Sequence, residues 1–91
     1  QRARNGAERR LALIRLYGAL DAMGHFRRAL ECAHQGVAEA GDDPAVRGIL
    51  LANLANAHYT LWNLVEARTV ASEVIAMGTA MNWWPHGLHW M

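Results

Sequence analysis

Sliding the chain against itself by 38 positions lays Leu13, Leu16, Ala19, Ala29, Ala33 and Ala38 onto Leu51, Leu54, Ala57, Ala67, Ala71 and Ala76. The same shift puts Phe26 on Leu64 and Val37 on Ile75. Apolar and small residues that recur at a fixed period of this size mark supersecondary units that stack on one another, because no single unit buries its own apolar face. The repeat therefore predicts an all-α chain of helical hairpins: one domain over 1–91, with a first unit at 6–40, a second at 44–78 and the opening turn of a truncated third at 85–91.

Local signals divide the two units into four helices. Asn5 and Glu8 have the spacing of a capping box, and a helix is expected from there to about Ala22, closed by Gly24. The second helix runs from about His25 to Ala40, with Phe26, Ala29, Leu30, Ala33 and Val37 on one stripe and Gly41 at its end. Asp43 can cap a third helix, and Pro44 suits its first position, where the missing N–H costs nothing. That helix spans Pro44 to Thr60, and a second capping-box pattern, Asn63 with Glu66, opens a fourth that reaches about Met77. The short links at 23–25 and 61–63 demand antiparallel hairpins. Ala29, Ala33, Ala67 and Ala71 are the positions where a small side chain lets helices approach.

Composition limits the function classes. At 91 residues the chain is near the size where one core is only just sufficient. Its net charge of +1 gives no field to gather nucleic acid or acidic lipid, and the arginines at 2, 4, 9 and 10 read as a solvated helix start. All nine basic residues are arginine, alongside 17 alanines, a bias that points to a GC-rich bacterial coding sequence. Without lysine there is no Schiff base and no phosphate-loop lysine. One cysteine, Cys32, excludes an internal disulfide and points to a cytoplasmic protein. Gln1 is not a natural start, so a piece of a longer protein is expected.

The repeating residues resemble the tetratricopeptide repeat (TPR) family, a helix-turn-helix unit of about 34 residues. The first unit offers Leu13, Leu16, Leu20, Gly24, Phe26, Ala29 and Gly36; the second offers Leu51, Leu54, Ala55, Leu64, Ala67 and Val74. Tyr17 and Trp62 depart from the family pattern, which prefers small residues or glycine there. The resemblance implies an α-solenoid of antiparallel hairpins, a fragment of a right-handed superhelix. Its longer period is similar to arrays in large actinobacterial regulatory proteins, which would make this segment the contact region of a transcriptional regulator. The family's concave groove maps to Ile14, Arg15, Gly18 and Asp21 on the first helix, and to Ala52, Asn53, Asn56 and Tyr59 on the third. Arg15, Asp21, Asn53, Asn56 and Tyr59 are thereby candidates for holding a protein or peptide, since asparagine offers donors and an acceptor and arginine a charged fork.

The expected function is a noncatalytic protein-interaction scaffold, and the alternative is an effector-sensing module with a small molecule or short peptide in the same groove. No nucleophile, cofactor loop or ligand cluster is recognisable, so no catalytic residue, metal or cofactor is assigned. His86 and His89 share a helical face but lack a third ligand, and His58 reads as a partly buried core residue with one hydrogen bond. Trp83, Trp84 and Trp90 form an aromatic cluster that serves either as a partner interface or as packing for helices further on. With two units where three or more are usual, the isolated chain is expected to self-associate or to lean on Trp83 and Trp84 as a substitute cap. No membrane partner and no direct nucleic-acid contact are expected.

Overall fold

Four helices follow one another in the computed structural model, which describes residues 2–80 of the backbone and the side-chain surroundings of residues 6–78. They are α1 (Arg2–Ala22), α2 (Phe26–Ala38), α3 (Pro44–Thr60) and α4 (Leu64–Ala80). α3 begins and ends where the sequence signals place it: Asp43 Oδ1 accepts a hydrogen bond from the Ala45 N–H at 3.0 Å, and Pro44 takes the first helical position. At α1 the signal misleads, because the helix already runs from Arg2 and Asn5 lies inside it. Asn63 likewise turns its amide to His58 at 3.3 Å. The truncated unit at 85–91 lies outside the described residues.

The 38-residue similarity is most literal in the two hairpin turns. At the first, the N–H of His25 donates to the carbonyl of Leu20 at 2.9 Å; at the second, Asn63 donates to His58 at 2.9 Å. Each is the six-residue closure of a helix whose next residue is left-handed. Gly24 takes that place with φ +80°, and Trp62 takes its equivalent with φ 64°. A Cβ in the left-handed region costs roughly 1–2 kcal/mol, and the Trp62 side chain is 80% exposed, so little packing offsets the strain. Glycine there would give back about 0.4–1 kcal/mol through the entropy of the unfolded chain. Trp62→Gly is therefore expected to raise the thermal midpoint by about 3–6 °C. A lowered midpoint, read by circular dichroism beside Trp62→Ala, would show that the indole makes a stabilising contact.

Identical hairpins do not here make an open array. All four helices gather around α3, which packs against α4, α2 and also α1. The radius of gyration is 12.6 Å, close to the about 12 Å of a compact domain of this length. The structure is thus a compact four-helix bundle built from contacts between helices near in sequence, and the reading as a TPR-type α-solenoid is corrected. The analogy with actinobacterial transcriptional regulators, and the oligomer required to complete an array, came with that reading and lose their support.

Burial shows why the repeat overstates the likeness of the two units. Ala29 and Ala67, and Ala33 with Ala71, are all 2% exposed or less, so the second helix of each hairpin meets its neighbour through alanine. The first helices differ. α3 buries Leu51, Leu54 and Ala57, whereas on α1 the counterpart Leu16 is 48% exposed and Ala19 is exposed. α1 stands at the edge of the bundle and needs only the stripe Leu13, Tyr17 and Leu20, while α3 is covered on several sides and is apolar nearly all round.

The interior has two parts. Leu13, Tyr17, Leu20, Ala29, Cys32, Ala33, Leu54 and Ala57 join α1, α2 and α3. Leu51, Ala52, Ala55, Ala71 and Val74 join α3 to α4, and Val37 and Val70 pack against both parts. At the end opposite the hairpin turns, Arg9 pairs with Glu39, Gln35 Nε2 donates to the same carboxylate at 3.2 Å, and Arg10 Nη1 donates to the Glu39 carbonyl at 3.4 Å. The bond from Arg9, more than that from Gln35, holds the Glu39 carboxyl below the usual carboxylate range. Arg9 and Arg10 thus tether α1 to the end of α2, where a solvated helix start was expected.

Candidate functional site

Beyond its first turn, α3 is buried among its neighbours except along one stripe and at Tyr59 near its end. Gly48, Leu50, Leu51, Ala52, Leu54, Ala55, Ala57 and His58 are buried, while Val46, Ile49, Asn53, Asn56 and Thr60 remain at least partly open at spacings of three and four residues. These spacings line one face of a helix. Tyr59, 41% exposed, stands at the edge of this face near its end. Thr60 Oγ1 donates to the Asn56 carbonyl at 2.9 Å, which occupies the hydroxyl within the helix. Asn53 and Asn56 therefore lie together on the open side of an otherwise buried helix, and Tyr59, about 120° round the helix from Asn53, borders that side.

The candidates on α1 are less tightly grouped. Asp21 is half-buried beside the stripe of Tyr17 and Leu20, in line with Ile14 one heptad earlier, whereas Arg15 is exposed. Six residues separate Arg15 from Asp21, which turns them about 120° apart around the helix. They do not share a face. Ala52, mapped to the groove by the resemblance, is buried at 6% exposure within the α3–α4 core. Trp83, Trp84, Trp90, His86 and His89 lie outside the described residues.

Other polar groups are settled by packing. Cys32 Sγ donates to the Leu13 carbonyl at 3.3 Å in the interior, and burial pushes its thiol up, away from the thiolate that nucleophilic chemistry needs. Burial first, then the Asp21 carboxylate, raises the Tyr17 phenol. His58 is 9% exposed, with its Nδ1 3.3 Å from Asn63 Nδ2 and its ring edge-on to that of His34, centroids 5.5 Å apart. Burial, followed by His34, lowers its pKa, while Glu66 acts in the opposite direction. The sequence marks His58 as a core position with a hydrogen bond, but its pairing with His34 crosses from α3 to α2 with no spacing signal to announce it.

Comparison with known proteins finds no matching family model, no matching curated protein and no matching solved structure. Among the described residues, no three of His, Cys, Asp and Glu gather as a metal-ligand set, and no helix is long and apolar enough to cross a membrane.

Proposed function

We propose that this bundle is a noncatalytic protein-interaction module that takes a polypeptide segment along the open stripe of α3. The observation that carries the reading is the content of that stripe. A helix largely buried on its other sides leaves two amide side chains, Asn53 and Asn56, part-exposed, flanked by Ile49 at 41% and Tyr59 at 41% exposure. Amides matched to an extended backbone, with an aromatic and an aliphatic side chain beside them, suit a peptide better than a reacting substrate. Arg15 and Asp21 stand about 120° apart on α1, so the two do not line this segment together.

The test is capture from the native host, with a photocrosslinking residue placed at position 49 and the Asn53→Ala/Asn56→Ala double variant as comparison. Two lost hydrogen bonds at about 1 kcal/mol each predict a ten- to thirtyfold weaker affinity for the captured partner. Helix content should not change. Undiminished capture by the double variant would place binding elsewhere on the molecule, and retention of a small molecule in place of a polypeptide would overturn the reading.

A further inference from the structure

His58 has a counterpart in the first hairpin. Shifted by 38 residues it falls on Leu20, while Asn63 falls on His25, and the backbone bond between each pair is the same 2.9 Å closure. Two turns of one geometry therefore differ in the side chain that plugs them: a leucine 6% exposed in the first, an imidazole 9% exposed in the second. Among the described residues His58 is the one buried histidine. It meets the His34 ring on α2, with centroids 5.5 Å apart, and the Asn63 amide in the turn at 3.3 Å, and the Glu66 carboxylate acts on it electrostatically from α4.

We propose that His58, with His34 and Asn63 around it, is a pH-sensitive latch on the α3–α4 turn, closed while its imidazole is neutral and loosened when it takes up a proton. In the closed form Nδ1 accepts from the Asn63 amide, so a proton on Nδ1 forces that amide to turn about or leave. The same proton places a positive charge in a largely buried position beside a second imidazole. Glu66 draws the charge the other way, but burial and His34 outweigh it, and the folded-state pKa lies below the ordinary 6.5. The unfolded turn therefore binds the proton first. Stability from the neutral ring is complete above about pH 6.5 and is lost as the pH falls from there through the folded-state value. Because α4 packs mainly on α3 among the described residues, the loss is felt locally as opening of the turn and the start of α4.

Amide hydrogen exchange on the 91-residue chain, followed by NMR between pH 7.5 and 5, reads this directly. The protection factor of the Asn63 amide is expected to fall several-fold on acidification while that of His25, held by the equivalent bond to Leu20, stays level. His58→Leu, which installs the residue used by the first hairpin, should make Asn63 protection independent of pH. His34→Gln keeps the core ring in place and should move the His58 transition, followed by its ring resonances, to higher pH. Parallel loss at Asn63 and His25 would overturn the proposal, as would an undiminished loss in His58→Leu. Should His58→Leu not fold, a His58 transition unmoved by His34→Gln is the overturning result.

Discussion

Leu50→Ala is expected to destabilise the bundle by about 2–5 kcal/mol, and in that background the otherwise harmful Gly36→Ala should become neutral or stabilising. Leu50 is 1% exposed on α3, and its Cδ2 occupies the space that a Cβ on Gly36 would need: the two would stand 2.8 Å apart. Glycine inside a helix ordinarily costs about 0.5–1 kcal/mol relative to alanine, so Gly36 is retained against propensity to admit this leucine. Alone, Gly36→Ala gains that propensity term but forces a buried side chain from its rotamer, an overpacking cost of about 1–3 kcal/mol that outweighs the gain. With Leu50 truncated, the new methyl enters vacated space and only the gain remains. Urea unfolding of the two single variants and the double variant gives the coupling energy. A stabilising Gly36→Ala in the otherwise unchanged chain would show that Leu50 yields at no cost, and would defeat the argument. A domain of 91 residues holds about 5–13 kcal/mol in all, so Leu50→Ala takes a large share of it.

Ala71→Leu should cost about 3 kcal/mol or more and detach α4 before the rest of the bundle unfolds. Ala71 and Ala55 are both 0% exposed in the cluster that joins α4 to α3, and α3 is the helix on which α4 packs. Three further carbon atoms at the contact cannot be absorbed by a rotamer change, since Leu51 and Val74 fill the surrounding space at 4% and 0% exposure. The helices must separate, and the buried area on both sides of the contact is lost with them. Ala76→Leu is the control within α4. Its position is exposed and leucine has nearly the helix propensity of alanine, so the change should stay within about 0.5 kcal/mol. Hydrogen exchange would show α4 amides losing protection ahead of α1 and α2. Equal destabilisation by the two variants would mean that α4 propensity, not the width of the α3–α4 contact, governs the outcome.

Both predictions concern positions that periodicity marks as small or apolar, which indicates how far local pattern reaches. The capping of α3 by Asp43, the left-handed turn at Gly24 and the alanine contacts of α2 and α4 rest on groups within five residues of one another or on one helix face. Such relations repeat in any context, so they are legible in a linear string. The tendency failed at Asn63, which has the spacing of a capping residue, yet its amide turns back to His58, a buried ring that also meets His34 on α2. The open stripe of α3 is intermediate. Asn53, Asn56 and Tyr59 were marked through a resemblance whose solenoid the structure does not adopt, and they lie on or beside the accessible face because the other faces of α3 are largely taken by α1, α2 and α4.

Four helices, two like hairpin turns and the small-residue positions through which helices meet follow from local order in the chain, because backbone hydrogen bonding and side-chain spacing act over a few residues. Helix packing alone gathers the hairpins into a compact bundle around α3, exposes Leu16 where its counterpart Leu54 is buried, and brings Arg9 to Glu39 and His34 to His58. Those outcomes depend on which helix stands at the edge and which at the centre. A 38-residue repeat treats its two copies alike, whereas packing in three dimensions gives one copy neighbours that the other does not have.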